Sequence, residues 1–137
     1  MPRTVRPPRA TVLALSVGPD PKRIPEVRHA LRRWLLRHGL GDTRKVVELL
    51  TSELLARAVI HARSDVTVRV RDDDGVVRVD VTAEMTPEPQ RLSSVAELAG
   101  RRGEAILSAL ARDHGVERHG DAQVLWAEVW VHRPRHG

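Results

Sequence analysis

Glu53, Arg57 and His61 follow one another at intervals of four residues within one largely apolar stretch. If this stretch is helical, the three side chains share one face of the helix. Glu53 and Arg57 can then form an ordinary helix salt bridge, which contributes about 0.3–0.5 kcal/mol when it is exposed. Alternatively, the Arg57 guanidinium can bind a phosphate group directly. His61 lies near the end of the helix, where the negative end of the helix dipole favours a cation.

No other set of residues has the spacing of a catalytic or metal site. The seven histidines show no metal-ligand spacing, and the acidic turn at 72–74 lacks the remaining ligands of a calcium loop. Ser52 and Ser108 have no His and Asp at a spacing typical of a hydrolase triad. The chain contains no cysteine, which excludes disulfides and thiol chemistry. We therefore predict no metal site.

Length and composition indicate a single globular domain without a membrane segment. The chain has 137 residues, of which 41% are hydrophobic. No apolar run approaches the roughly 18–20 residues that span a bilayer. Residues 1–9 are basic and proline-rich, and they lack the apolar region of a secretory signal. We therefore predict a cytoplasmic protein in which residues 1–9 form a disordered arm.

The formal net charge is +5, and nearly all of the positive charge comes from arginine. Codon usage in a GC-rich genome can produce this excess. The arginine excess is also compatible with binding to an acidic protein partner or to nucleic acid. Nucleic acid is the weaker interpretation, because the chain has no Phe or Tyr on which bases could stack and no recognised binding motif.

Hydrophobic periodicity and turn residues predict eight elements around the candidate helix. The predicted strands cover residues 10–17, 65–71, 77–81, 115–119 and 123–132. The predicted helices cover residues 25–38, 42–61 and 103–114, with a hairpin turn at 72–75 and a long loop at 84–98. This order predicts an α+β fold, a two-layer sandwich with a mostly antiparallel sheet and helices on one face. The domain covers residues 10–132, and residues 133–137 form a tail.

The stretch Ser52–Ala62 resembles a helix of the GHKL superfamily of ATPases and kinases. That helix carries the pattern Glu-Leu-x-x-Asn-Ala-x-x-His-Ala. The positions that match are Glu53, Leu54, Ala58, His61 and Ala62, whereas Arg57 stands in place of the Asn. Residues 103–116 and 123–129 are similar to the third helix, the strand after it and the closing strand of anti-sigma-factor serine kinases within this superfamily. The resemblance covers most of the chain and implies a Bergerat, or GHKL-like, fold.

The resemblance also assigns roles to individual positions. It implies that Glu53 is the general base of an active enzyme. It also implies that position 57 is the one at which the family has the Asn that binds magnesium. The carboxylate that reads adenine would stand at Ala83, and a glycine-rich segment that approaches the phosphates would include positions 101 and 103. Two of these positions depart from the pattern in chemistry, because Arg57 has no acceptor for magnesium and Ala83 has no polar group. Arg101 is a third departure, since it replaces a glycine two positions before Gly103.

We therefore predict a regulatory protein of this superfamily that acts by protein–protein binding. Its partner would be a sigma factor or an anti-sigma antagonist, and its role would be bacterial transcription regulation. Binding of ATP and kinase activity would be weakened or lost, as in a pseudokinase, so that no cofactor is expected. The alternative is an active serine/threonine kinase that uses ATP and magnesium, with Glu53 as base. A second alternative is an arginine-rich module that binds nucleic acid. A homodimer is compatible with each interpretation.

Overall fold

The computed structural model of the chain describes residues 3–4, 13–40, 42–73, 75–85 and 94–131, with backbone alone for 3–4, 73 and 94–101. Within this part, the elements follow one another as β1 (Arg3–Thr4), β2 (Leu13–Val17), a short 3-10 helix (Pro21–Arg23), α1 (Ile24–Arg37), α2 (Thr43–His61), β3 (Val66–Asp73), β4 (Val76–Glu84), α3 (Ser94–Leu110), β5 (Asp113–His119) and β6 (Ala122–Trp130).

The strands form one six-stranded sheet in the order β1-β2-β3-β4-β6-β5. Each neighbouring pair is antiparallel. The helices cover one face of this sheet, which confirms the predicted α+β sandwich of two layers.

Alternation of valine with polar residues determines which face of the sheet meets the helices. In β3, Val66, Val68 and Val70 are fully buried, and Val68 and Val70 lie opposite Val81 and Val79 of β4. The side chains between them point to the opposite face, because successive residues of a strand alternate. We call this opposite face the outer face; it carries Arg69, Arg71, Arg78, Asp80, Trp126 and Glu128.

Helix α2 lies at the centre of the helical layer and contacts β3, β4, β6, α1 and α3. Its buried apolar residues are Val47, Leu50, Leu54, Leu55, Ala58 and Val59. The buried hydroxyl of Thr51 donates to the Val47 carbonyl oxygen at 2.7 Å, which satisfies a polar group inside the core. The packing of α2 therefore fixes the direction in which Glu53 and Arg57 project.

The hairpin predicted around Gly75 joins β3 to β4. The last paired residues are Asp73 and Val76, and Gly75 adopts a φ of 86°. This left-handed conformation suits glycine, which has no Cβ to clash. The pairing continues to the turn at Asp73 and Val76, and β4 extends beyond its predicted end to Glu84, where it pairs with β6.

Helix α3 corrects the prediction for residues 84–114. It begins at Ser94 and ends at Leu110, whereas the sequence favoured a loop over 84–98 and a helix from Gly103 to His114. Arg101 and Arg102 consequently belong to the helix and not to a loop. Pro87 and Pro89 favoured a loop over the whole segment, but both precede Ser94, where the helix begins. The spacing of Ser94 and Glu97 favours a helix start, which agrees with the observed beginning.

Near the N-terminus, Arg3 and Thr4 pair with Ser16 and Leu15 of β2 as a short edge strand. These residues belong to the segment predicted as a disordered arm, whose other positions lie outside the described residues. The predicted tail 133–137 and the middle of the predicted loop, 86–93, also lie outside them. Among the helices in the described ranges, none is both long and apolar enough to cross a membrane.

Candidate functional site

Glu53 and Arg57 of α2 meet Gly103 of α3. A Cβ atom built on Gly103 would lie 2.9 Å from Oε2 of Glu53 and 3.3 Å from Nη2 of Arg57. The first distance is shorter than real Cβ contacts, so the absence of a side chain at 103 allows α3 to approach these two groups. We call this set the Glu53–Arg57–Gly103 cluster.

Arg57 forms its ion pair across the helix interface. Its Nη1 lies 3.4 Å from Oε1 of Glu104, and the Arg57 side chain is 31% exposed while that of Glu104 is 56% exposed. The pair expected from spacing, Glu53 with Arg57, does not form. Arginine has a long side chain, and the space above Gly103 lets it extend to the next residue of α3. Because this pair is long and exposed, it contributes little to stability.

The Glu53 carboxylate is half-buried beside Arg57 and Gly103. Within the described part of the chain, no hydrogen bond or ion pair reaches it. Glu53 therefore keeps the accepting capacity of both oxygens for a group that enters the cluster.

Ala83 lies near the end of β4, opposite Gln123 of β6, and is 3% exposed. Met85, two residues later, is 7% exposed and belongs to the same core cluster as Ala83. Glu84, between them, is exposed, because successive residues of an extended strand alternate. The site position at 83 is thus part of the apolar core, and the nearest carboxylate points elsewhere.

Met85 also belongs to this region, although no motif in the sequence pointed to it. The signal was present, since the apolar alternation of Val79, Val81 and Ala83 continues to Met85. Met85 forms an isolated bridge with Ala62, directly after α2. A hydrogen bond from the Arg63 amide to the Glu84 carbonyl oxygen at 2.7 Å reinforces this junction. The end of β4 is therefore closed against the end of α2 by an apolar side chain and backbone pairing.

The remaining predicted site positions do not belong to the Glu53–Arg57–Gly103 cluster, which is defined by the contacts of Gly103. His61 is the last residue of α2 and is half-buried, two turns beyond Glu53. The Arg101 backbone lies in α3, two residues before Gly103. The structure thus brings three of the predicted positions together, 53, 57 and 103, and places 83 at the end of β4.

The cluster combines a guanidinium, an accepting carboxylate and a glycine backbone. A guanidinium offers donors only, so Arg57 can hold a carboxylate or a phosphate but cannot ligate a cation. In the part of the chain that the structure describes, no group of three His, Asp or Glu side chains is arranged to hold a metal ion. The chemistry available at this cluster is therefore anion binding and proton acceptance.

Comparison with known proteins identifies the family. The family described as the histidine kinase-like ATPase domain matches residues 17–128, which is most of the chain. No curated protein matches the sequence.

Two solved structures share the fold. The histidine kinase AdeS of Acinetobacter baumannii superposes with a TM-score of 0.52 at 13% identity, over 85% of this chain and 67% of that one. The histidine kinase domain of the blue-light activated histidine kinase EL346 of Erythrobacter litoralis gives a TM-score of 0.52 at 20% identity, over 92% of this chain and 66% of that one. At these identities the likeness shows the fold alone, and this chain spans about two thirds of the second structure's length. Together with the family match, it confirms the expected GHKL-like fold: the chain belongs to the histidine kinase-like ATPase domain family.

Proposed function

We propose that this chain is a regulatory member of its family that acts by binding a protein partner, with magnesium–ATP chemistry weakened or lost. The observation that carries the proposal is the position of Arg57. Its guanidinium lies beside Glu53 and Gly103, at the place where the resemblance assigns a magnesium-binding Asn.

A fixed guanidinium opposes magnesium in two ways. It supplies no oxygen ligand, and magnesium requires nearly octahedral oxygen coordination. It also repels a divalent cation, and at a partly buried site this repulsion is screened less than in water. The Arg57–Glu104 ion pair keeps the guanidinium at the helix interface. Any phosphate bound here would therefore contact Arg57 directly, without the metal.

The position assigned to adenine recognition supports the same conclusion. Ala83 is buried among core residues, and Met85 occupies the next position on the same face. Neither side chain can accept a hydrogen bond from an amino group in the way that a carboxylate does. Metal binding and base recognition would thus be lost on two separate elements, α2 and β4.

If the fold is kept but its usual nucleotide contacts are lost, binding of a protein partner is the role that remains. The resemblance to anti-sigma-factor serine kinases points to a sigma factor or an anti-sigma antagonist in the bacterial cytoplasm. The +5 net charge suits an acidic partner. A second copy of the chain is compatible with this role.

Co-purification with quantitative mass spectrometry tests the partner-binding part of the proposal. The tagged protein is isolated from its host cells with and without added ATP and magnesium, and Glu53→Ala is isolated in parallel. We expect one stoichiometric protein partner, retained equally by both proteins and under both conditions. Recovery of no stoichiometric partner, or retention that requires ATP, contradicts the proposal.

The alternative is an ATP-dependent serine/threonine kinase with an altered site. One observation favours it: in the described part of the chain, the Glu53 carboxylate has no partner and could act as a base. Radiolabelled ATP incubated with the co-purified partner tests this alternative. Phosphate transfer that Glu53→Ala abolishes would establish the kinase, whereas transfer that persists in this variant would come from a contaminating enzyme.

A further inference from the structure

The outer face of the sheet holds a cavity lined by arginine, on the side of the sheet away from the helices. Its volume is 210 Å³, and its lining residues are Arg71, Val76, Arg78, Arg112 and Glu128. We call it the arginine cavity. None of its lining residues belongs to the Glu53–Arg57–Gly103 cluster, so a ligand here would bind independently of the nucleotide position.

Asp80 holds two of the arginines side by side. Arg71 and Arg78 are cross-strand partners, and like charges in this relation repel each other. The Asp80 carboxylate, 8% exposed as a residue, accepts from Nε of Arg78 at 2.8 Å and lies 3.3 Å from Nη2 of Arg71. Burial acts to lower the pKa of Arg78, but its hydrogen bonds to Asp80 and Glu117 raise the pKa overall. Asp80 therefore orients both guanidinium groups.

Two tryptophans extend the cavity with apolar surface. The Arg78 guanidinium lies 4.4 Å from the centre of the Trp126 ring, and that of Arg112 lies 4.3 Å from the Trp130 ring. Gly115 leaves room for Trp126, because a Cβ there would lie 3.0 Å from the ring. Trp130 is 59% exposed, so a rigid aromatic surface stands open to solvent beside the cavity.

The hydrogen-bonding capacity of this region is not used up. The carboxylates that pair with its arginines are Asp80, Glu117 and Glu128. The charged side chains that line the cavity itself are three arginines and one glutamate, a net charge of 3 − 1 = +2; the paired Asp80 and Glu117 lie outside the lining. Each guanidinium has five N–H donors.

We propose that the arginine cavity docks an acidic segment of a protein partner, with a Glu or Asp carboxylate in the cavity and an apolar neighbour on Trp130. Tryptophan and arginine are the residues that most often dominate binding energy at protein interfaces. A carboxylate of the partner can replace Glu128 at Arg112, where it can accept two parallel hydrogen bonds from the guanidinium. One carboxylate in the cavity meets less repulsion from Asp80, Glu117 and Glu128 than the successive phosphates of a nucleic acid would, which disfavours nucleic acid here. This inference rests on the proposed function, since it names the surface that the partner uses.

A peptide titration followed by NMR tests the docking site. The probe is a capped hexapeptide of alternating Glu and Leu, added to the full chain. The protein has three tryptophans, and each has one indole N–H signal. We expect the signals of Trp126 and Trp130 to shift saturably. The Trp34 signal should stay unchanged, because that ring stacks on His38 at a centroid distance of 3.9 Å in the helical layer.

A charge-matched pair of variants separates the cavity from general electrostatics. Arg71→Gln combined with Arg112→Gln should weaken peptide binding at least fivefold. Arg32→Gln combined with Arg44→Gln removes the same charge from arginines that pair with Glu48 on the helices, and should leave the affinity within twofold. Trp130→Ala, at an exposed position, should also weaken binding at least threefold and provides a test if the first variant does not fold.

Three results would overturn the docking site: unchanged Trp126 and Trp130 signals, an equal loss of affinity in the two double variants, or tighter binding of a six-nucleotide single strand to the same tryptophans. The proposed function fails separately, through the absence of any co-purified partner. If a partner is retained equally by the wild type and by the Arg71→Gln/Arg112→Gln variant, the proposed function stands and the arginine cavity is excluded as its docking site.

Discussion

Arg57 forms its ion pair with Glu104 on the neighbouring helix, although Glu53 lies one turn away on its own helix. Both Glu53 and Arg57 approach Gly103 without pairing with each other. The cluster therefore contains a guanidinium anchored to α3 and a carboxylate with free accepting capacity. This arrangement leads to predictions about packing, about the lost nucleotide contacts and about the outer face.

The contact between Glu53 and Gly103 predicts energetic coupling between the two residues. Gly103→Ala gains about 1 kcal/mol of helix propensity, but in the wild type the new methyl group must displace the Glu53 carboxylate. Within the described ranges, the Glu53 carboxylate is the unpaired end of a flexible side chain and can shift at small cost. We therefore expect Gly103→Ala to be stabilising in both backgrounds, and more so with Glu53→Ala than in the wild type. Urea unfolding of the four proteins measures this coupling. Ser108→Ala, at an exposed position of the same helix, should be additive with Glu53→Ala, and additivity of Gly103→Ala would contradict the geometry.

The burial of Ala83 predicts that a carboxylate can no longer be accommodated there. Ala83→Asp places a charge at a position that is 3% exposed, and should lower the free energy of unfolding by about 2 kcal/mol or more. Thr82→Asp, on the outer face of the same strand, should cost clearly less. Equal stability of the two variants in urea unfolding would show that the pocket still accepts the adenine-reading residue.

Glu117 predicts a pH effect on the outer face. A hydrogen bond from Arg78, and then one from His119, lowers the pKa of the Glu117 carboxyl. Because the folded pKa is lowered, the stabilising contribution is present above the pKa of the unfolded chain and is lost as pH falls through the folded pKa. NMR titration of the Glu117 carboxyl carbon should show this lowered midpoint. Arg78→Gln should raise the midpoint toward the ordinary value, whereas Arg32→Gln should not change it.

Restoring the missing amide alone should not restore ATP binding. Arg57→Asn returns an oxygen ligand for magnesium, but Ala83 remains apolar and Arg101 still replaces a glycine. Its stability should change by less than about 0.5 kcal/mol, because the pair with Glu104 is exposed. Calorimetry with magnesium–ATP, with Arg57→Ala as the control for removal of the guanidinium, checks this prediction. Micromolar binding by Arg57→Asn would show that the rest of the pocket is intact.

Local patterns predicted the elements whose residues carry strong periodicity. The valines of β3 and β4 alternate, and the buried residues of α2 recur at helical spacing, so these three elements were assigned correctly. The predicted start of α3 was wrong because Gly103, a local helix breaker, lies inside the helix, where it allows the close approach to Glu53, a contact that the sequence does not show.

The interaction partners of the site residues were harder to predict, because they come from distant parts of the chain. Arg57 and Glu104 are 47 positions apart, and the spacing within α2 suggested the nearer Glu53 instead. The arginine cavity depends on the register that places Arg71 opposite Arg78, and Arg78 opposite Glu128. Spacing along one strand shows that these residues share a face, but the neighbouring strand decides which charges meet.

Isothermal titration of the wild-type chain with ATP, in the presence and in the absence of magnesium, tests the central claim most directly. Arg57 should exclude the metal, and Ala83 provides no hydrogen bond to the adenine. We therefore predict no saturable ATP binding at micromolar concentration and no gain in affinity when magnesium is added. Micromolar binding that requires magnesium would contradict the account.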